Sequence, residues 1–466
     1  MTRAGLSGSL SVSRARMKKN NQRLGTWPKA VGFGALLCGL IYAAFWVHLL
    51  NFVGVDNWFE RQFFKLASHT VEGAVLDNIR LIYIDEKDNG PLGGFSEGTA
   101  QGWRTYHAEL LRKLADAHAK VVAFDLSFPA PEASSEIGNK AFIDAVKEVR
   151  AAGATTVIAG YERNMDPNVS LERVLPREEM GLISVSGKGQ GPNSDSYLTK
   201  VLIAESDISE TAVGSLERLA RPLPMGLALY LATMQKASQP SQPLMDASDS
   251  QVQLQGGTPA LAPIDVEVQE CTQATINCPL AEGATLHRRA LLPFWIAGDV
   301  PFVDRSYLSV YAQKKLGEDY AGKTVLIGAR AGSEAVTLGP GAATSSTVYG
   351  YQVHARVLTD LLSRTYPRAA PHLWQFLGMA ILLTIGALAR VLLPRSEVTV
   401  PIGMLKDFPI PLGLLIVAAI YIFATVLVFR STHVLFDLGY QLLALFAGYY
   451  AVGRLLAAKD PRAAQP

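Results

Sequence analysis

Two short apolar runs, RLIYID ending at Asp85 and KVVAFD ending at Asp125, bracket a stretch in which Tyr106, Leu110, Leu111, Leu114 and Ala115 recur at helical spacing. Runs rich in β-branched residues that stop at an acid read as buried strands of a parallel sheet, and the period between them reads as a helix. Residues 80–128 therefore predict strand, loop, helix, strand, a βαβ unit whose two strands run parallel. The two acids and the loop carrying Trp103, Arg104 and His107 then meet at the edge where open α/β sheets bind ligands.

The same alternation continues downstream. Residues 137–152 present Ala141, Phe142, Ala145, Val146 and Val149 on one helical face, closed by Gly153, and TTVIAGY follows as a strand. MGLISVSG and VLIAESDI read as strands, and residues 222–237 as a helix. From 237 to about 263 the chain turns to Ser, Gln, Pro, Asp and Gly, which predicts a flexible surface insertion. ALLPFWI, SYLSVYAQKKLG, GKTVLIGAR and VHARVLTDLLS then predict strand, helix, strand and helix. Such alternation implies an α/β fold, a mostly parallel sheet flanked by helices on both faces.

Four longer apolar stretches change the picture. Residues 30–53 lack Asp, Glu, Lys and Arg, and at ~1.5 Å per residue they are long enough to cross a ~30 Å hydrocarbon core. Residues 372–393, 409–429 and 434–456 are the other three, the last flanked by Asp437 and Arg454. They predict four transmembrane helices beside the α/β domain. Gly34, Gly39, Ala43, Gly378, Gly386, Gly413 and Gly439 supply small residues for close helix contact, in a bundle or a homodimer. Residues 55–78 place Trp58, Phe59, Phe63, Leu66 and Ala67 on one face, an amphipathic stalk.

Charge orients this arrangement. Residues 1–29 hold seven basic residues and no acid, a cytoplasmic tail by the positive-inside rule. The first apolar run is too long for a signal-peptide core and reads as an uncleaved anchor. Residues 54–371 then lie outside, and the tail 457–466 returns to the cytoplasm. That segment holds 29 basic and 37 acidic residues, which argues against nucleic acid as a partner. The lipid bilayer is the partner implied.

Candidate chemistry is sparse. Asp85, Asp125, His107 and His354 could bind a cation, serve as acid and base, contact a ligand, or only cap loops and helix ends. Trp103 and Arg104 join them as candidate ligand contacts. The spacing of Cys271 and Cys278 in an exported domain suggests a disulfide, with two free thiols as the alternative. GARAGS and GPLGGF lack the full phosphate-loop spacing, and no HExxH or Ca²⁺-loop pattern occurs. The sequence therefore reads as a non-enzyme without cofactor or metal.

YIDEKD followed by WRTYHAELLRKLADAHAKVVAFDLSF, then RPLPMGLALYLA, RSYLSVYA, GKTVLIGARA and YQVHARVLTDLLSR, resembles in order the CHASE2 family of extracytoplasmic sensor domains. The resemblance runs over about residues 79–364. It implies a sensor that detects an external or periplasmic ligand or protein. The segment 394–408 and the tail after 456 are too short for a kinase or cyclase. The expected output is therefore a separate protein reached through the membrane helices. An envelope scaffold that docks partners on the exported domain, or a membrane-bound hydrolase, are the competing expectations.

Overall fold

The computed structural model describes residues 27–47, 49, 73–85, 103–131, 136–162, 166–183, 200–207, 216–235, 241–247, 249–271, 287–293, 302–330, 335–337, 347–392, 397–402 and 405–457. The chain divides into His69–Arg368 and a second unit made of Met1–Ser68 with Ala369–Pro466.

In His69–Arg368 the strands are, in chain order, β1 (Ile79–Ile84), β2 (Val121–Ser127), β3 (Thr156–Tyr161) and β4 (Gly181–Leu182). Then come β5 (Lys200–Asp207), β6 (Leu216–Arg218), β7 (Leu223–Pro224), β8 (Gln242–Asp246) and β9 (Gln251–Gln255). The last are β10 (Ile264–Asp265), β11 (Glu267–Cys271), β12 (His287–Pro293), β13 (Val303–Ser306), β14 (Thr324–Ala329), β15 (Ala335–Thr337) and β16 (Thr347–Tyr349). The main helices are α1 (Arg104–Asp116), α2 (Glu136–Ala152), α3 (Met225–Met234), α4 (Tyr307–Tyr311) and α5 (Gly350–Ser363).

Seven strands form one sheet in the order β13, β1, β14, β2, β3, β4, β7, and every neighbouring pair is parallel. The period of two sends alternate residues to opposite faces. Ile82, Ile84, Val122, Phe124, Val325 and Ile327 pack with Leu110, Leu111, Phe142, Val146 and Tyr307 of α1, α2 and α4. Ile79, Leu81, Val121, Ala123 and Leu326 pack with Leu227, Tyr351, Val357 and Leu358 of α3 and α5. All six residues of β14 are buried, as its unbroken apolar sequence demands.

Three features depart from the sequence reading. β1 and β2 run parallel but do not touch, because β14 lies between them. Their joining helix spans the width of an intervening strand, a gap that local periodicity does not encode. β5 leaves the main sheet and pairs antiparallel with β12, which also pairs with β11. The stretch 237–263, expected to be flexible, contains the hairpin β8–β9 inside a four-stranded antiparallel sheet. Its strands bury Leu244, Met245, Val252 and Leu254, and the interleaved glutamines hide that alternation in a polar composition.

In the second unit three helices are long and apolar enough to cross a membrane: Pro28–Trp46, His372–Leu392 and Leu412–Thr432. The expected fourth span is corrected. Residues 434–456 open with a two-residue strand at Val434–Leu435, then form a helix only over Leu438–Ala447. A π turn at Gly448–Val452 separates it from Gly453–Ala457. Asp437 fixes the start by accepting a hydrogen bond from the Tyr440 amide at 3.3 Å. The helix His372–Leu392 sits at the centre of this unit, with Met379 and Leu383 against Ile41, Phe45 and Tyr440, and Leu382 and Ala389 against Leu414 and Leu445. A side chain at Gly386 or Gly448 would overlap the backbone of Leu445 or Leu383, so these glycines set how closely the two segments approach. The stalk predicted over 55–78 lies outside the described residues except for one helical turn at Gly73–Leu76.

Candidate functional site

α1 leaves β1 and α2 leaves β2 onto the same face of the sheet, whereas α5 follows β14 onto the opposite face. The connections therefore diverge at the carboxyl ends of β1, β14 and β2. A divergence of this kind opens the crevice in which α/β sheets hold ligands. Asp85 stands half-buried just past β1, Asp125 lies near the end of β2, and Arg330 follows β14 with its amide bonded to the Ile84 carbonyl at 2.7 Å.

Asp125 is the chemically unusual member. Its neighbours Phe124 and Leu126 fill the α1/α2 face, so its own side chain turns to the α5 face, where it is only 6% exposed. His354 approaches it from α5, with Nε2 3.5 Å from Asp125 Oδ1 and 3.2 Å from the Ile183 carbonyl oxygen. Burial pushes the Asp125 carboxyl up to about 8. The acid therefore holds its proton at neutral pH. Beside this pair, Gly328 faces Asp125 across the strands, and a side chain there would overlap Tyr351. The glycine thereby lets α5 close onto the sheet.

The other three expected contacts lie on the far side of the sheet. Trp103, Arg104 and His107 are fully buried beneath α1. Arg104 donates to Asn139 Oδ1 at 2.7 Å and to the Pro129 carbonyl at 2.5 Å, and Asn168 donates to the same Asn139 oxygen at 2.8 Å. Burial without a charged partner pulls the Arg104 guanidinium down to about 10. His107 Nδ1 meets the Tyr307 hydroxyl at 2.9 Å, and burial with the nearby Arg104 charge lowers its imidazole to about 3. It is neutral at physiological pH. The sheet thus splits the six-residue constellation read from the sequence: Asp125 and His354 come together, while Trp103, Arg104 and His107 form a buried polar core contact.

Four residues missed by the sequence reading lie at this divergence. The Arg330 guanidinium lies 4.6 Å from the Tyr83 ring centre and 5.4 Å from that of Tyr349. Asp304, on β13, accepts from the Tyr351 hydroxyl at 2.9 Å and from Gln352 at 3.4 Å. Burial raises its carboxyl, against the nearby charge of Arg330. A Tyr one residue before the strand end and an Arg just beyond a buried strand were the available signals.

A separate shallow cleft lies past β2 and β3, bordered by Phe128, Tyr161, Glu162, Asp166, Asn168 and Met180. Among the described residues no group of three or more His, Cys, Asp or Glu has the closeness a metal needs. Cys278 and the side chain of Cys271 lie outside the described residues, as do GPLGGF and residues 331–333 of GARAGS.

The family model for the CHASE2 domain matches residues 35–389, most of the chain. No curated protein and no solved structure matches it.

Proposed function

The chain belongs to the CHASE2 domain family, a family of sensor domains, and from that premise we propose that residues 69–368 detect a small ligand or a protein outside the cytoplasmic membrane. The signal then passes through the apolar helices to a separate output protein, and the exported domain works by binding, not by catalysis. The observation that carries this reading is the position of α5. It brings His354 to the buried Asp125 at the crevice, ends at Ser363, and is the last helix before His372–Leu392 in the chain. A ligand that favours one seating of α5 would shift the next helix only by its differential affinity for the two arrangements. The seven basic residues among residues 1–29 favour an inside N-terminus and hence an external domain.

Proteinase K added to intact spheroplasts tests the exposure on which the reading depends. Residues 69–368 are expected to be degraded while a cytoplasmic marker survives. Protection of that segment until the cells are lysed would end the reading. For the output step, photo-crosslinkers placed at Ile416, Ile420 and Phe423, all exposed on Leu412–Thr432, are expected to capture one discrete protein in living cells. Lipid adducts alone at all three positions would contradict a separate output protein on this face.

A further inference from the structure

Arg330 leaves the carboxyl end of β14 at the point where the helices following β1 and β14 part to opposite faces. Its guanidinium is flanked by Tyr83 of β1 and by Tyr349 immediately before α5. Ring faces hold a guanidinium plane in place while leaving its in-plane N–H donors available. Among the described residues, no carboxylate stands within ion-pair distance of Arg330 and no acceptor takes its side-chain donors. Asp304 is near enough to be influenced by the charge, but its bonded oxygen is engaged by Tyr351 and Gln352. A half-buried, ring-held fork with idle donors at the divergence of the sheet fits the recognition of a carboxylate or phosphate, both of which accept two parallel hydrogen bonds from arginine.

We propose that Arg330, held by Tyr83 and Tyr349, anchors a small ligand through a carboxylate or phosphate group. This deepens the sensory reading and draws its biological meaning from it. Because the anchor is held by Tyr83 of β1 and by Tyr349 immediately before α5, a ligand bound to it bears directly on how α5 is seated.

The test uses the full chain in phosphatidylcholine nanodiscs, titrated at constant ionic strength with succinate, inorganic phosphate, chloride or putrescine. Modification of Arg330 by phenylglyoxal, followed by peptide mass spectrometry, is the first readout and thermal unfolding the second. Succinate, phosphate or both are expected to protect Arg330 and raise the unfolding temperature, while exposed Arg173 reacts unchanged and putrescine and chloride do nothing. A response to one anion alone identifies which group the site takes. Arg330→Met should abolish the thermal response, and Arg330→Lys, which keeps the charge without the fork, should weaken binding at least about tenfold. The proposal is overturned if Arg330 reacts at the same rate with and without both anions, or if Arg330→Met keeps the thermal shift. An external domain indifferent to these anions refutes the anchor alone, and anion binding by a protease-protected domain refutes the external placement alone.

Discussion

Replacing Asp125 with Asn isolates the effect of burying an acid at the end of β2. The folded carboxyl sits at about 8, whereas an unfolded aspartate titrates near 3.9. Between those values the folded domain keeps a proton that the unfolded chain has released, so stability falls as pH rises, by about 1.4 kcal/mol per unit. Asparagine cannot ionise. Its advantage over the wild type should therefore grow by roughly 4 kcal/mol between about pH 5 and pH 8 and stay level beyond. His107 tilts the profile the other way. With a folded value of about 3 against about 6.5 when unfolded, it withdraws stability as pH falls below the unfolded value. The two slopes cancel between about pH 4 and 6.5, so the joint contribution of Asp125 and His107 is level there and falls from about 6.5 to 8. In Asp125→Asn the His107 contribution stands without that counterweight, weakening toward acid and level above neutrality. Thermal unfolding of the full chain in nanodiscs, read across this range, measures it. At about 2–4 °C per kcal/mol for a large domain, the gap between the two proteins should widen by on the order of 10 °C. A gap that does not change with pH would mean that Asp125 is ionised in the fold, and the burial argument would be wrong.

His107→Phe should remove the opposing slope, so that the decline due to Asp125 runs from about pH 4 to 8 instead of starting near 6.5, a difference visible in the same titration. Asn139→Leu takes the shared acceptor from Arg104 and Asn168 and strands buried donors, one of them charged, at a cost of about 3 kcal/mol that a lowered unfolding temperature would report. Gly328→Ala inserts a methyl group into Tyr351 and should cost about 1–3 kcal/mol with an altered tyrosine near-ultraviolet signal as α5 is displaced. Gly448→Leu, beyond the domain, should prise the π turn from Leu383 and lower stability in detergent by about 1–3 kcal/mol. An unchanged melting temperature for either glycine variant would contradict the close approach described at that position.

The layer architecture was legible because its cues are local. β-branched runs such as TVLIGA and helical stripes such as Leu110, Leu111 and Leu114 report burial wherever the partner lies. The site was only half legible, because whether two residues meet depends on which face each takes and which strands lie between. Asp125 and His354 converge through long-range packing that their spacing does not encode, and His107 looked like their companion only because it precedes them near the same strand end. Arg330 and Tyr83 were passed over as parts of strand signals. The hairpin β8–β9 was hidden by its glutamines, and the apparent fourth span by a composition that does not register the π turn at Gly448.

The middle position of β14 has a consequence for how the molecule is made. Until roughly two hundred further residues have emerged, β1 and β2 stand with an open slot between them, both flanks wanting hydrogen-bond partners. A chain delivered from its N-terminus must keep that slot vacant for much of its passage. Prematurely ended polypeptides would present two bare edges of the kind that recruit neighbours into aggregates.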